Sequence, residues 1–347
     1  MGKLINKHNT DLQSAYYNRV MSDAFEELVM TKYKWLIDFV KKHDDLDFQT
    51  GFDQKQSKSW FSIYRGTGRI LQISYYDKSR SGKEKIDAHP AYKSLAPDIF
   101  QKDGMIDEKS FENYLIKITK EPKFEKYYLD SKGDRKEGFY QTLIARRYTF
   151  ENKSEDDFVI FDKELVIGFK DDDVKDAWNK EIIDSQQEAI GTLQSMSSDK
   201  LSKKIKPDYG EFDFMGLSWD GDLIIMELKK EAKGTKSSLA PIQIAYYMKQ
   251  FTKLINEDTD GVLYKVIRDM ILQKQRMELI KMTPKAKALP NGLSGKIRKY
   301  IIMGNDEKVS KPFKEHFLLA KNVFLGNDLE VFTCDKDGTL RRSSKFI

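Results

Sequence analysis

Two short apolar runs, Phe212-Asp213-Phe214-Met215-Gly216-Leu217 and Leu223-Ile224-Ile225-Met226-Glu227-Leu228, are separated by a turn at Trp219-Asp220-Gly221, and each carries a carboxylate. Runs this short and apolar, bounded by turn residues, read as buried strands. Asp213 and Glu227 are therefore drawn into an interior that penalises charge unless something positive pairs with them. With one cysteine, Cys334, and four scattered histidines, His8, His43, His89 and His316, the chain has neither a disulfide framework nor a zinc-ligand set. A divalent cation held by oxygen is the natural partner.

The turn decides whether the two carboxylates meet. If Asp220-Gly221 is a two-residue hairpin loop, Trp219 pairs with Asp222 and Asp213 falls opposite Leu228, away from Glu227. If Trp219-Asp220-Gly221 is a three-residue loop with Gly221 in the left-handed bulge position, Ser218 pairs with Asp222 and Asp213 falls opposite Glu227. The second register also gathers Phe212, Phe214, Met226 and Leu228 on one face, as a buried sheet requires, and it is the one expected. Alternation along the strand puts Lys229 on the face of Glu227. Glu-x-Lys recurs at Glu121, Glu151 and Glu231, but only Glu227-Leu228-Lys229 closes an apolar run with an Asp on the strand before it.

A helix is expected from about Ser238, with Pro241 in its first turn, through Phe251. Gln243 and Tyr247 lie four apart on it and so share a face. An earlier helical pattern, from about Asp176 to Leu193, offers Glu181 and Glu188 as further acidic ligands, although ordinary surface glutamates are the commoner explanation of each.

At 347 residues the chain exceeds one average domain. The expected division is an N-terminal α+β domain, 1–174, that recognises a target or regulates, and a C-terminal α/β domain, 175–347, built on a mixed sheet flanked by helices. Residues 22–42 read as one amphipathic helix with Ser22 as N-cap. Trp60–Tyr64 and Ile70–Tyr76 read as a hairpin around Gly66-Thr67-Gly68, which lacks the following helix that a nucleotide loop needs.

The net charge of +5 hides a polarised chain. Residues 151–190 hold thirteen acidic residues against five lysines, and residues 261–300 hold ten basic against two acidic ones. The acidic run reads as a solvated face. The basic stretch, an insertion over 258–298, starts helical and loosens at Pro284 and Pro290. It suits phosphate contact through Lys274, Arg276, Lys281, Lys285, Lys287, Lys296 and Arg298. No apolar run reaches the roughly 18 residues of a membrane span and no signal-peptide core opens the chain, so a soluble, cytoplasmic protein with no membrane partner is expected.

An Asp on one strand, Glu-x-Lys on the next and Gln-x-x-x-Tyr on the following helix resemble the PD-(D/E)xK nuclease superfamily, and within it the RecB-like branch, over the C-terminal half of the chain. The motif positions are Asp213, Glu227, Lys229, Gln243 and Tyr247. There is one departure: Phe212, not proline, precedes Asp213. The nearest Pro-Asp, Pro207-Asp208, comes too early for the hairpin, which makes Asp208 the lesser candidate. Strands expected at 299–303 and 329–333, with a helix at 311–322 between them, follow the order of that family's restriction-endonuclease-like core. An extra domain ahead of the core is similar in layout, rather than in motif residues, to Shedu-type anti-phage nucleases.

The resemblance implies a Mg²⁺-dependent nuclease, with Mn²⁺ as substitute, acting on nucleic acid and most readily as a DNA endonuclease in restriction or antiviral defence. It implies that Asp213, Glu227 and the Leu228 carbonyl hold the ion, that Lys229 orients or deprotonates the attacking water or stabilises charge on the phosphate, and that Gln243 steadies the site while Tyr247 packs. Cutting both strands of a duplex asks for two active sites, which a homo-oligomer would supply. The competing reading is a non-catalytic nucleic-acid-binding or sensor protein that keeps the scaffold. A scaffold released from catalysis has no need of buried charges at Asp213, Glu227 and Lys229.

Overall fold

The computed structural model describes residues 15–77, 83–101, 106–125, 128–129, 133–196, 211–326 and 329–346. The chain runs β1 (Ala15–Tyr16), α1 (Asp23–Thr31), α2 (Lys34–Lys42), β2 (Asp47–Asp53), β3 (Lys58–Arg65), β4 (Gly68–Tyr76), β5 (Lys83–Asp87), α3 (Glu108–Lys120), α4 (Glu137–Arg147), β6 (Phe158–Leu165) and β7 (Gly168–Phe169). It continues through α5 (Asp172–Met196), β8 (Phe212–Ser218), β9 (Leu223–Glu231), α6 (Ala240–Glu257), α7 (Val262–Arg276), β10 (Ile297–Asn305), α8 (Lys311–Phe324), β11 (Leu329–Cys334) and β12 (Leu340–Arg342), with one-turn helices in the connections. The class is mixed α/β.

Strands β2 to β5 form an antiparallel meander. Phe25, Val29, Leu36, Phe39 and Phe111 of its helices close over Phe61, Ile63, Leu71 and Ile73. The single helix expected over 22–42 is instead two, because Tyr33 leaves helical geometry to bury its ring and donate its hydroxyl to Glu84, which also pairs with Lys32 at 2.8 Å. Ser22 precedes α1, but its hydroxyl donates to Asp77 at 2.6 Å and makes no cap. The hairpin stands where expected, with Arg65 paired to Gly68 across Gly66-Thr67.

The six-stranded sheet has the order β12-β11-β10-β9-β8-β6. Its β10 runs parallel to both neighbours, and the remaining pairs are antiparallel. On one face α6 and α7 cover Met215, Leu217, Leu223 and Ile225; on the other α4 covers Phe214, Ile224, Met226 and Leu228. Residue 174, where the sequence reading divides the chain, falls between β6 and β8, which are neighbours in this sheet. Both faces of β6 are buried, Val159 and Phe161 on one side and Phe158 and Ile160 on the other. The acidic runs beside it are also part of the fold. Asp156 is buried and receives Arg147 through both oxygens, at 2.5 and 2.7 Å, and Asp171 accepts the Val174 N–H at the start of α5.

Strands β8 and β9 are joined by the three-residue loop. Phe214 pairs with Met226 and Leu217 with Leu223, and the Ser218 N–H donates to the Asp222 carbonyl at 2.9 Å. Gly221 has φ of 89°, and a Cβ there would come within 2.5 Å of the Gly292 carbonyl oxygen, so both backbone geometry and space call for glycine.

Candidate active site

The register of β8 on β9 carries Asp213 to the position facing Glu227. The ladder stops one residue short of it. Phe214 and Met226 are the last pair, and the Leu228 N–H, which a continued ladder would give to Phe212, donates instead to Asp213 Oδ2 at 2.7 Å. Phe212 leaves the face expected for it and packs with Phe251 and Tyr247, its ring 4.8 Å from that of Tyr247. This roll of β8 turns the Asp213 carboxylate into the gap between the strands. A strand residue directs its N–H and C=O to the same neighbour, so the Leu228 carbonyl faces that gap as well. Lys229 Nζ donates to Glu227 Oε1 at 2.5 Å, and the Glu227 and Lys229 side chains are only 4% and 14% exposed.

A third carboxylate acts on this group. Glu137, the first residue of α4, lies close enough that its charge raises the pKa of both Asp213 and Lys229. Nothing in the sequence marks it, since an acidic residue in the first turn of a helix is favoured there by the helix dipole alone.

Burial, and then the charge of Glu227, push the Asp213 carboxyl well above the ordinary range, against the pull of Lys229. Burial works to depress the Lys229 ammonium, but Glu227 and Asp213 outweigh it and hold the side chain protonated. The site is thus short of positive charge in a place where water cannot supply the deficit. An ion of the Mg²⁺ type binds through one or two carboxylates and completes its shell with water and substrate oxygens. Among the described residues no three His, Cys, Asp or Glu side chains are grouped as a metal set. An ion here would draw on Asp213, Glu227 and the Leu228 carbonyl, a donor set that fits Mg²⁺ or Mn²⁺ rather than Zn²⁺.

The buried carboxyl has a consequence for stability. Because the folded pKa of Asp213 is raised, the native state keeps a proton that the unfolded chain gives up, and stability falls as pH rises from the unfolded carboxylate value through the folded one. Asp213→Asn, which cannot titrate, is expected to gain stability over the native chain in metal-free buffer as pH increases from 5 to 8, by up to about 1.4 kcal/mol per pH unit. Melting curves in EDTA across that range check it; a gap that stays flat or narrows contradicts it.

Gln243 is half-buried on α6, one turn before Tyr247, which is buried against Phe212 and so supports the start of β8. Glu181 and Glu188 are exposed on α5 and outside the site. That helix turns Trp178, Ile182, Ile190 and Leu193 inward, and the two glutamates fall on the face left to solvent. Asp208 lies outside the described residues.

The basic insertion precedes β10, and several of its charges are engaged by the rest of the fold. Lys274 is half-buried; its ammonium turns inward to donate to the Phe161 carbonyl, and desolvation lowers its pKa to about 8, so its charge is directed into the fold and not at an outside phosphate. Arg276 is engaged by both oxygens of Glu26 at 2.6 and 2.7 Å, Lys285 pairs with Asp157 at 3.4 Å, and Arg298 pairs with Glu330 at 3.5 Å. Lys281, Lys287 and Lys296 are exposed. Ile297 of β10 stands beside Leu223, whereas Ile301 stands beside Glu227, which sets Arg298 and Lys296 toward the far end of the strands, about 10 and 16 Å away at roughly 3.3 Å per residue. Comparison with protein-family models, curated proteins and solved structures returns no match, so the functional reading stands on the geometry of Asp213, Glu227 and Lys229.

Proposed function

We propose that the chain is a metal-dependent nuclease of the PD-(D/E)xK kind that hydrolyses phosphodiester bonds, with DNA as its foremost substrate. The observation that carries this is the convergence of Asp213, Glu227 and Lys229 in one buried, charge-deficient site at the point where β8 and β9 part. The succession α5, β8, β9, α6, β10, α8, β11, with α7 inserted before β10, supports the same reading. A bound Mg²⁺ would supply neutralisation of the phosphate and an acidified water. Asp213, Glu227 and the Leu228 carbonyl would hold it. Lys229, kept protonated by its carboxylate neighbours, donates a hydrogen bond to the phosphate oxygen on which charge builds. Tyr247 fixes Phe212, and through it the direction of Asp213.

The test is incubation of the purified chain with supercoiled plasmid, linear duplex, single-stranded DNA and RNA, in Mg²⁺, Mn²⁺ or EDTA, beside Glu227→Ala. Cleavage that needs the ion and is lost in the variant is expected. Equal cleavage by Glu227→Ala would refute the assignment, and tight binding without cleavage under every condition would favour a sensor that keeps the scaffold.

A further inference from the structure

At the carboxyl end of β9 a cleft of about 440 Å³ opens, into which Arg135, Lys230, Lys233 and Lys308 converge. We propose that this cleft seats the phosphodiester backbone of the strand being cut, so that substrate approaches over the carboxyl ends of β9 and β10 and not across the basic insertion. The inference rests on the nuclease reading and says where its substrate lies.

Three observations carry it. The first is closeness to the site along the chain: Lys230 follows Lys229 on β9 but alternates to the α4 face, where Tyr140 also lines the cleft, Arg135 comes two residues before Glu137, and Lys308 follows β10, whose Asn305 pairs with Glu231 at the end of β9. A backbone lying in the cleft would reach the carboxylates by passing over the carboxyl end of β9, where the two faces of the sheet meet. The second is the availability of charge. Among the described residues Lys230 and Lys308 have no ion-pair partner, while in the insertion Lys274 is bonded to the Phe161 carbonyl and Arg276, Lys285 and Arg298 are ion-paired, which leaves Lys281 and Lys287 among its exposed, unengaged charges. The cleft's four cations face three carboxylates, Asp134, Glu231 and Glu307, of which Glu231 is already bonded to Lys233 at 3.0 Å, so its lining keeps a net positive charge of one.

The third concerns what the cleft does not offer. Tyr140 is the one aromatic side chain among its described lining residues, and it is buried edge-on against Phe139, with no open face on which a base could stack. Lysine and arginine contacts to phosphate fix a strand's position and carry no base information, and base stacking needs exposed rings. The cleft thus recognises nucleic acid by its backbone charge, independently of sequence.

Binding is separated from cleavage by fluorescence anisotropy in EDTA, using the full chain and labelled single-stranded and duplex DNA of two unrelated sequences. Lys230→Glu with Lys308→Glu is expected to raise Kd at least about tenfold on both sequences and to flatten the slope of log Kd against log salt by about 1 to 2. Lys230→Arg with Lys308→Arg keeps the charge and is expected to keep the affinity. The same reversal at Lys281 and Lys287 should weaken binding less. Melting curves establish that each variant is folded, and the exposed single change Lys308→Gln gives a milder measurement should the double reversal not be. Wild-type affinity in the reversed pair, a larger loss from the insertion pair, a loss confined to one sequence, or a native chain that binds no nucleic acid would each overturn the inference. A native chain that binds through the cleft in EDTA but cuts nothing in Mg²⁺ sinks the nuclease reading and leaves the cleft standing. Metal-dependent cutting with an unaltered Kd in the reversed pair does the opposite.

Discussion

Lys229→Ala is expected to lower the rate of metal-dependent phosphodiester cleavage by about 10² to 10⁴, the usual cost of losing a positioned acid–base or charge-stabilising group, while DNA affinity in EDTA stays near that of the native chain. The separation follows from where the lysine sits. Its ammonium is turned inward to Glu227 at 2.5 Å and is only 14% exposed, so it contributes little to the field that draws a polyanion from solution. It becomes important when a phosphate enters the gap beside Asp213 and negative charge builds there. Lys229→Arg keeps the charge but exchanges a compact ammonium for a planar fork on a longer stem, and the pocket between β8 and β9 is built around the former, so only partial recovery is expected. Single-turnover rates for the three proteins, with binding measured in parallel, make the comparison. A Lys229→Ala chain cutting within about threefold of the native rate would remove Lys229 from the chemistry, since charge-stabilising groups cost far more than that when lost.

How much of this site could be read from sequence depends on how local its causes are. The meeting of Asp213 and Glu227 was legible because the register is set by one turn, and that turn by the need for a left-handed residue at Gly221. The roll of β8 was not, because it is caused by Tyr247, a residue on another element that draws Phe212 to its own side of the sheet. Glu137 was hidden for the same reason: only the packing of α4 on the sheet brings it near Asp213. Lys274 is a different case, since its inward direction was written in the pattern. Val266, Met270 and Lys274 are spaced by four along one helical face, and the first two are core residues, so the lysine that continues the series had to turn inward. Counting the charge of 258–298 without asking which helical face each residue occupied assigned Lys274 to solvent. Pairing with Glu26, Asp157 and Glu330, all outside the insertion, then took up Arg276, Lys285 and Arg298, and no count within the segment could show that.

The same distinction between local and distant causes governs the largest stability effect expected. Lys163 of β6 and Asp47 of β2 form an ion pair at 2.5 Å that joins the six-stranded sheet to the four-stranded one, with the two side chains only 4% and 1% exposed. Around it Gln49 Nε2 donates to the Lys163 carbonyl, and the Lys163 ammonium lies 4.0 Å from the centre of the Tyr64 ring. Lys163→Ala leaves Asp47 buried without its cation, and breaking such a pair from one side costs about 3 to 5 kcal/mol. Burial already raises the Asp47 carboxyl above its ordinary pKa even with Lys163 opposing it, and loss of Lys163 raises it further. A folded pKa above the unfolded value means that the native state holds the extra proton, so the variant's deficit should be greatest at neutral pH and shrink as pH falls toward the unfolded carboxylate value. Removing both charges, as in Lys163→Met with Asp47→Leu, takes away the uncompensated carboxylate and should recover much of the loss, because apolar replacement of a buried pair is often neutral or better. Denaturant titrations of the two single variants and the double at pH 5 and pH 7.5 give the coupling between the residues directly. A Lys163→Ala chain within about 1 kcal/mol of the native one at neutral pH, the range of an exposed ion pair, would mean that water reaches Asp47 and that the two sheets do not depend on this pair.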